Sequence, residues 1–131
     1  MQTQTQGGVL LAVESPAKGA RLIRVAGDLD VAARPRLAAL TDALLHRIAE
    51  ETSTPHNRYL LIDVACVSSF GPGGAETLVA VRDQSAQAGV QAYLTGVSGR
   101  QWLLPGHVVN VLARINSFPS VECALRVLRI G

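Results

Sequence analysis

Apolar and polar positions follow two different periods along this chain, and the changes of period mark its predicted elements. Residues 9–13 form a short apolar run, and residues 21–26 form a second run in which arginines interrupt the apolar positions. The proline and glycine of residues 15–19 favour a turn between them, so the two runs are predicted to pair as a hairpin. The second strand is expected to end at residues 27–30.

A helical period begins after this hairpin. Leu37, Leu40, Leu44 and Ile48 recur at spacings of three and four, so they share one face of a helix predicted over residues 31–51. Asp30 precedes this helix and is a suitable N-cap.

The central stretch, residues 59–79, reads as a buried strand, a glycine-rich elbow and the start of a second helix. Residues 59–64 are almost continuously apolar, as in a strand that is covered on both faces. Residues 71–74 cannot continue that strand because they supply three glycines and a proline. Open α/β sheets carry their working surface at the carboxyl ends of such strands, so we expect it near residues 68–74.

The second helix is predicted from about residue 74 to residue 88, and a strand over residues 90–97 follows it. A capping box at residues 98–101 is expected to open a short helix over residues 102–104. A last short strand is predicted near residues 112–115, and a final helix after residue 120.

The resulting order, β-β-α-β-α-β-α-β-α, predicts one α/β domain over residues 9–131 behind a flexible tail at residues 1–8. Its sheet is expected to be mixed but mostly parallel, with about five strands, a leading β-hairpin and about four helices.

Composition narrows the classes of function. Hydrophobic residues make up 48% of the 131 residues, which favours a packed core over disorder. The net charge of +2 is too small, and the arginines too scattered, to indicate nucleic-acid binding. The first residues lack the regions of a signal peptide, and no apolar run is long enough to span a membrane. We therefore expect a cytoplasmic protein with neither a nucleic-acid nor a membrane partner.

Patterns that indicate catalysis or a metal are missing from the sequence. His46, His56 and His107 do not form HExxH or a comparable zinc pattern, so we expect no metal site. GxSxG does not fit the residues around the elbow, and neither do the phosphate-binding glycine motifs. We therefore expect no enzymatic activity and no cofactor.

Three further side chains are given structural roles. Cys66 and Cys123 stand far apart and are expected to be reduced and buried as small apolar residues. Trp102 is expected to pack in the core or at its edge rather than to anchor a partner.

Four short motifs, in the expected order, resemble the STAS domains, the anti-sigma-factor antagonists of bacteria. Gly27-Asp28-Leu29-Asp30 looks like the GELD stretch that ends the second strand of these domains. Residues 61–78 look like their central strand, elbow and helix, and residues 94–98 and 118–125 are similar to their fourth strand and last helix. This resemblance, over residues 9–128, implies that the elbow docks an anti-sigma factor that is also a serine kinase. It also implies that phosphorylation of an elbow serine or threonine breaks the complex.

The elbow departs from the family's pattern at the phosphorylated position. The family's Asp-Ser-Ser-Gly falls on Gly71, Pro72, Gly73 and Gly74, so that Gly73, which cannot accept a phosphate, replaces the modified serine. We therefore expect a non-catalytic module that docks an anti-sigma factor or a related regulatory kinase without phosphorylation there. The docking residues are expected to be Asp28, Asp30, Ser69, Phe70, Gly71, Pro72, Gly73 and Gly74.

Two alternatives and one addition stay open at this stage. The protein could be a conventional phospho-switched antagonist that uses Ser68 or Ser69 through a shifted alignment. It could instead bind a nucleotide or another small ligand at the elbow, since a helix N-terminus offers free N–H groups to an anion. Self-association is a further possibility for a module of this kind.

Overall fold

The computed structural model describes residues 8–131 and places them in one α/β domain with the predicted order of strands and helices. The strands are β1 (Val9–Ala17), β2 (Ala20–Leu29), β3 (Tyr59–Phe70), β4 (Gln91–Thr95) and β5 (Ser117–Phe118), and the helices are α1 (Arg34–Glu51), α2 (Gly74–Gln87), α3 (Gly106–Leu112) and α4 (Val121–Val127). Short 3-10 turns lie at Val31–Ala33, Pro55–Asn57 and Gln101–Leu103. The predicted tail lies outside the described residues except for Gly8. Within the described residues, no helix combines the length and the apolar character needed to cross a membrane.

The five strands form one sheet in the order β1-β2-β3-β4-β5. β1 and β2 pair antiparallel as the predicted hairpin, whereas β2–β3, β3–β4 and β4–β5 are parallel pairs. The mixed, mostly parallel sheet of the sequence prediction is therefore confirmed. Because β2, β3 and β4 run the same way, their carboxyl ends meet at one edge of the sheet.

Alternate residues of the central strand pack into two different cores. Leu60 and Ile62 point toward the face that α1, α2 and α3 cover, which holds most of the buried apolar side chains. Leu61 points to the other face, where α4 contributes Val121 and Ala124. This double burial explains the apolar run of β3, since both faces of a sheet covered by helices must exclude water.

A buried ion pair joins the carboxyl end of α1 to the hairpin. Arg21 is buried and donates to both carboxylate oxygens of Glu51, with an Nη1–Oε1 distance of 2.8 Å. The backbone N–H of Gly19 donates to the same carboxylate at 2.9 Å. The Arg21 guanidinium, followed by this N–H, lowers the pKa of Glu51 from 4.5 to about 2.

Two local predictions around the third helix are wrong. The strand expected near residues 112–115 does not form, because residues 106–112 are helical and pack Val108, Val111 and Leu112 into the core. The capping box at residues 98–101 is also absent, since Arg100 is the N-cap of the 3-10 turn and makes no side-chain cap bond. An apolar run of this length fits a strand and a buried helix equally well, so periodicity alone could not decide between them.

The prediction that both cysteines are buried is wrong for Cys66. Its side chain is exposed, and Cys123 is partly buried. The small cluster under α4 joins Leu61 to Tyr93 and Phe118, toward β4 and β5. The face of the sheet around Cys66, near the carboxyl end of β3, is therefore open to solvent.

Candidate functional site

The carboxyl ends of β2 and β3 lie side by side, so the predicted docking residues are close together. Asp28 is the parallel neighbour of Ser69, and Leu29 is the neighbour of Phe70. The chain then turns into α2 through Gly71–Gly74. We call Asp28, Asp30 and the segment from Ser69 to Gly74 the elbow surface.

A hydrogen bond between neighbouring strands orients the acidic side of the elbow surface. The Ser69 hydroxyl donates to Asp28 Oδ1 at 2.7 Å, and both side chains are exposed. The backbone N–H of Asp28 donates to the carbonyl of Gly8 at 3.1 Å. The Asp28 carboxylate is thus held in position without being buried.

Ser68 occupies a different position from Ser69. The β2–β3 register pairs Gly27 with Val67 and Asp28 with Ser69, so Ser68 is the extra residue of a β-bulge. Its side chain is exposed. Both alternative phosphoacceptors are therefore accessible, and the Ser69 hydroxyl already has a partner.

Asp30, the other acidic residue of the elbow surface, stabilises the start of the 3-10 turn that packs beside the elbow. Asp30 Oδ1 accepts a hydrogen bond from the Ala32 N–H at 2.8 Å, as the predicted N-cap should, although it caps the 3-10 turn that precedes α1. Two backbone bonds then join this segment to the elbow: Gly71 N–H donates to Leu29 O at 2.8 Å, and Val31 N–H donates to Pro72 O at 3.0 Å.

Two elbow glycines are required by this close packing. Gly73 has a φ of +76°, and a Cβ at this position would lie 2.8 Å from Val31 Cβ. A Cβ on Gly74 would lie 2.2 Å from the Leu29 carbonyl oxygen. A serine at either position would have to displace the β2–α1 connection, so the glycines do more than permit a turn.

The N-terminus of α2 is poorly suited to an anion. The N–H groups of Gly74 and Thr77 donate to the carbonyls of Gly71 and Gly73, both at 3.0 Å. Glu76 adds a negative charge in the first turn, and its own backbone N–H, followed by His107, lowers the pKa of its carboxyl. A surface hollow of about 450 Å³ beside the start of β4 lies at the opposite edge of the sheet. Local geometry therefore offers little to a nucleotide at the elbow.

The carboxylates of the elbow surface have no cationic partner among residues 8–131, since the ion pairs there include neither Asp28 nor Asp30. By contrast, the buried Asp63 accepts bonds from Arg24 Nη1 at 3.1 Å and from Thr95 Oγ1 at 2.8 Å. Asp63 is thus part of the sheet's internal polar network, whereas the elbow surface presents free negative charge.

An arginine that the sequence analysis did not single out closes the free edge of β3. β4 pairs with β3 only as far as Asp63, which leaves later carbonyls of β3 without a strand neighbour on that side. Arg100 donates to the carbonyls of Val64 at 2.7 Å, Ala65 at 3.3 Å and Val67 at 2.6 Å. Lone arginines have no sequence signature, and this role depends on the different lengths of two strands.

The expected burial of Trp102 is also wrong. Its side chain is 83% exposed on the 3-10 turn that directly follows Arg100. The neighbouring Leu103 is 76% exposed, whereas Leu104 packs partly against the core. The segment is thus anchored by Leu104 and not by its tryptophan.

The histidines do not assemble a metal centre. His107 Nε2 lies 2.8 Å from Glu76 Oε2, and His46 contacts its own helix at the Asp42 carbonyl. Within residues 8–131, no group of three His, Cys, Asp or Glu side chains is placed to hold a metal ion.

A family model described as the STAS domain matches residues 12–103. Among solved structures, the chain is similar to an anti-sigma factor antagonist from Mycobacterium paratuberculosis, with 22% identity, a TM-score of 0.62 and coverage of 94% of this chain and 96% of that chain. It is also similar to the anti-sigma factor antagonist SpoIIAA in its unphosphorylated form, with 12% identity, a TM-score of 0.65 and coverage of 92% and 98%.

A variant of RsbS from Moorella thermoacetica has 14% identity, a TM-score of 0.62 and coverage of 91% of this chain and 94% of that chain. At these identities the solved structures establish a shared fold. No curated protein sequence matches the chain.

Proposed function

The chain belongs to the STAS-domain family, and from this premise we propose that it is a non-catalytic regulatory module that binds a partner protein through the elbow surface. The proposed partner is an anti-sigma factor or a related serine kinase. Two of the similar structures are named anti-sigma factor antagonists, which supports this class of partner.

One observation carries the proposal: the elbow surface is held by backbone hydrogen bonds, is negatively charged and exposes Asp28, Ser69 and Pro72 to solvent. Backbone bonds from Gly71 and Val31 fix its shape, and Asp28 and Asp30 have no cationic partner among the described residues. A preformed surface loses little conformational entropy when it binds. Free carboxylates at its rim favour a partner that presents arginine or lysine.

Phosphorylation at the elbow itself is not part of this function. Gly73 has no hydroxyl, and its contact with Val31 leaves no room for a side chain. Binding through the elbow surface is therefore not switched off by a phosphate at this position.

A phospho-switch at Ser69 or Ser68 is the second candidate, because both side chains are exposed beside the elbow. A phosphate on Ser69 would replace the hydrogen bond to Asp28 by repulsion between two anions. It would thereby change the charge and the shape of the elbow surface in one step.

The test uses the purified serine-kinase anti-sigma factors encoded in the same genome as this chain. Isothermal titration calorimetry should detect binding to one of them, and Asp28→Arg should weaken that binding at least about tenfold, or about 1.4 kcal/mol. Glu50→Arg, at the far end of α1, is the matched charge reversal and should leave the affinity unchanged. Equal effects of the two variants, or no binding by any kinase, would contradict the proposal.

The same mixtures decide between the two candidates when ATP is added. Intact-mass measurement should find the chain unmodified. A single added phosphate that Ser69→Ala or Ser68→Ala removes would instead establish the phospho-switch.

A further inference from the structure

The segment between β4 and α3 exposes two large apolar side chains next to each other. Trp102 is 83% exposed and Leu103 is 76% exposed, and no charged residue occurs from position 101 to position 106. Tryptophan is among the residues that most often dominate binding energy at protein interfaces. We call Gln101–Leu103 the Trp102 turn.

Contacts on both sides of the Trp102 turn place it beside β3 and the start of α2. On one side, Arg100 donates to three carbonyls of β3. On the other side, His107 Nε2 lies 2.8 Å from Glu76 Oε2 in the first turn of α2. Leu104 packs partly against the core between these anchors. A rigid apolar projection loses less entropy on binding than a mobile one.

Both contacts of the Trp102 turn are with residues that lie close in sequence to the elbow surface. Val67, which accepts from Arg100, precedes Ser69 by two residues across the bulge at Ser68, so their Cα atoms lie at most about 7 Å apart. Glu76 follows Gly74 by two residues. The Trp102 turn and the elbow surface therefore lie at the same edge of the sheet, close enough for one partner to cover both.

The area of the turn indicates that it is part of a larger interface. A buried tryptophan removes about 200 Å² from water, whereas a stable complex buries about 800 Å² on each partner. A dimer made through this turn alone would fall well short of that area. A partner that covers the elbow surface as well as the turn would bury the remaining area.

We propose that the Trp102 turn is a second contact for the partner that the elbow surface binds, and that Trp102 and Leu103 enter an apolar cleft of that partner; this inference rests on the proposed function. The partner then presents two kinds of chemistry. An apolar cleft faces the Trp102 turn, and basic side chains face Asp28 and Asp30. Two such contacts at one edge fix the orientation of the complex, which a single charged patch would not do.

The test exploits the fact that the chain has one tryptophan. A chain labelled with fluorotryptophan gives a single fluorine NMR signal that reports on Trp102. In the free chain this signal should show the solvent isotope shift of an exposed indole. Titration with the anti-sigma-factor kinase that binds by calorimetry should move the signal and remove that isotope shift.

Variants test the energy of the contact. Trp102→Ala should weaken binding about tenfold or more, because it removes a central apolar anchor, and Leu103→Ala should weaken it by a smaller factor. Val127→Ala on α4, where the side chain is 55% exposed, is the matched control and should leave the affinity within about twofold.

The outcomes separate this inference from the proposed function. Calorimetric binding with an unchanged fluorine signal and wild-type affinity for Trp102→Ala would overturn the inference and leave the proposed function standing. Failure of every kinase to bind would overturn both. A signal that changes with the concentration of the chain alone would assign the turn to a contact between two copies and would also overturn the inference.

Discussion

Replacing Gly73 by serine introduces a hydroxyl at the position where the family resemblance expects the phosphorylated serine, yet the structure predicts that the variant is destabilised. The residue has a φ of +76°, which L-amino acids with a side chain rarely adopt. The new Cβ would also lie 2.8 Å from Val31 Cβ, which is closer than two non-bonded Cβ atoms approach in folded proteins. The substitution is therefore destabilising for two separate reasons, the backbone conformation and the steric contact.

The total destabilisation of Gly73→Ser can be estimated by adding the cost of the backbone conformation to the cost of the contact with Val31. A left-handed backbone costs about 1–2 kcal/mol for a residue with a Cβ, and overpacking against a fixed neighbour typically costs about 1–3 kcal/mol. We therefore expect Gly73→Ser to lower the free energy of unfolding by about 2–5 kcal/mol. For a domain of this size, this corresponds to a fall in Tm of about 7–18 °C.

Gly89 provides a matched control because it shares the backbone conformation but not the contact. Its φ is +74°, and nothing lies within 4 Å of the position that a Cβ would take there. Urea unfolding of Gly89→Ser should therefore show only the backbone cost, about 1–2 kcal/mol. The excess loss in Gly73→Ser measures the contact with Val31.

Val31 variants test whether that contact is the cause. Val31→Gly removes the Cβ and should recover much of the excess loss in the Gly73→Ser background, whereas Val31→Ala keeps the Cβ and should recover little. Equal stabilities of Gly73→Ser and Gly89→Ser would refute the reasoning. Efficient phosphorylation of a fully stable Gly73→Ser would refute it as well.

Three further predictions concern stability. Thr41 Oγ1 is buried and has no hydrogen-bond partner among residues 8–131, so Thr41→Val should raise the free energy of unfolding by about 1 kcal/mol in urea titrations; a loss would contradict this assignment. The pKa of Glu51 is lowered to about 2, so its ion pair with Arg21 stabilises the fold fully above pH 4.5 and less as the pH falls toward about 2. Glu51→Gln should therefore cost about 1–3 kcal/mol at neutral pH and little near that lower limit, and a pH-independent cost would contradict the account. Arg100→Ala should leave carbonyls of β3 without their donor and lower the free energy of unfolding by about 1–3 kcal/mol. It should also speed amide hydrogen exchange in residues 96–104, and unchanged exchange there would contradict the role given to Arg100.

The order of elements could be predicted from the sequence because most segments carry a clear period and clear boundaries. The α1 face of Leu37, Leu44 and Ile48 is buried as predicted, and Leu40 packs against the same core. Gly89 has the positive φ expected of a residue that ends a helix. Each of these features depends on residues that are close together in the sequence.

Features that depend on distant partners could not be predicted. β3 continues to Phe70, well beyond its predicted end, because β2 pairs with it over the added residues. Arg100 acquires its role only because β4 ends earlier than β3. Trp102 is exposed because Leu104 occupies the core position of its segment. None of these relations leaves a signal in the local pattern.

Native mass spectrometry of the chain with its cognate anti-sigma-factor kinase and ATP tests the central claim most directly. We expect a complex that persists in ATP and contains the unmodified chain, because Gly73 offers no phosphoacceptor. Asp28→Arg should lower the fraction of the chain found in that complex, in line with an affinity at least about tenfold weaker, whereas Glu50→Arg should leave that fraction unchanged. Dissociation that accompanies one added phosphate on the chain, or the absence of any complex, would contradict the account.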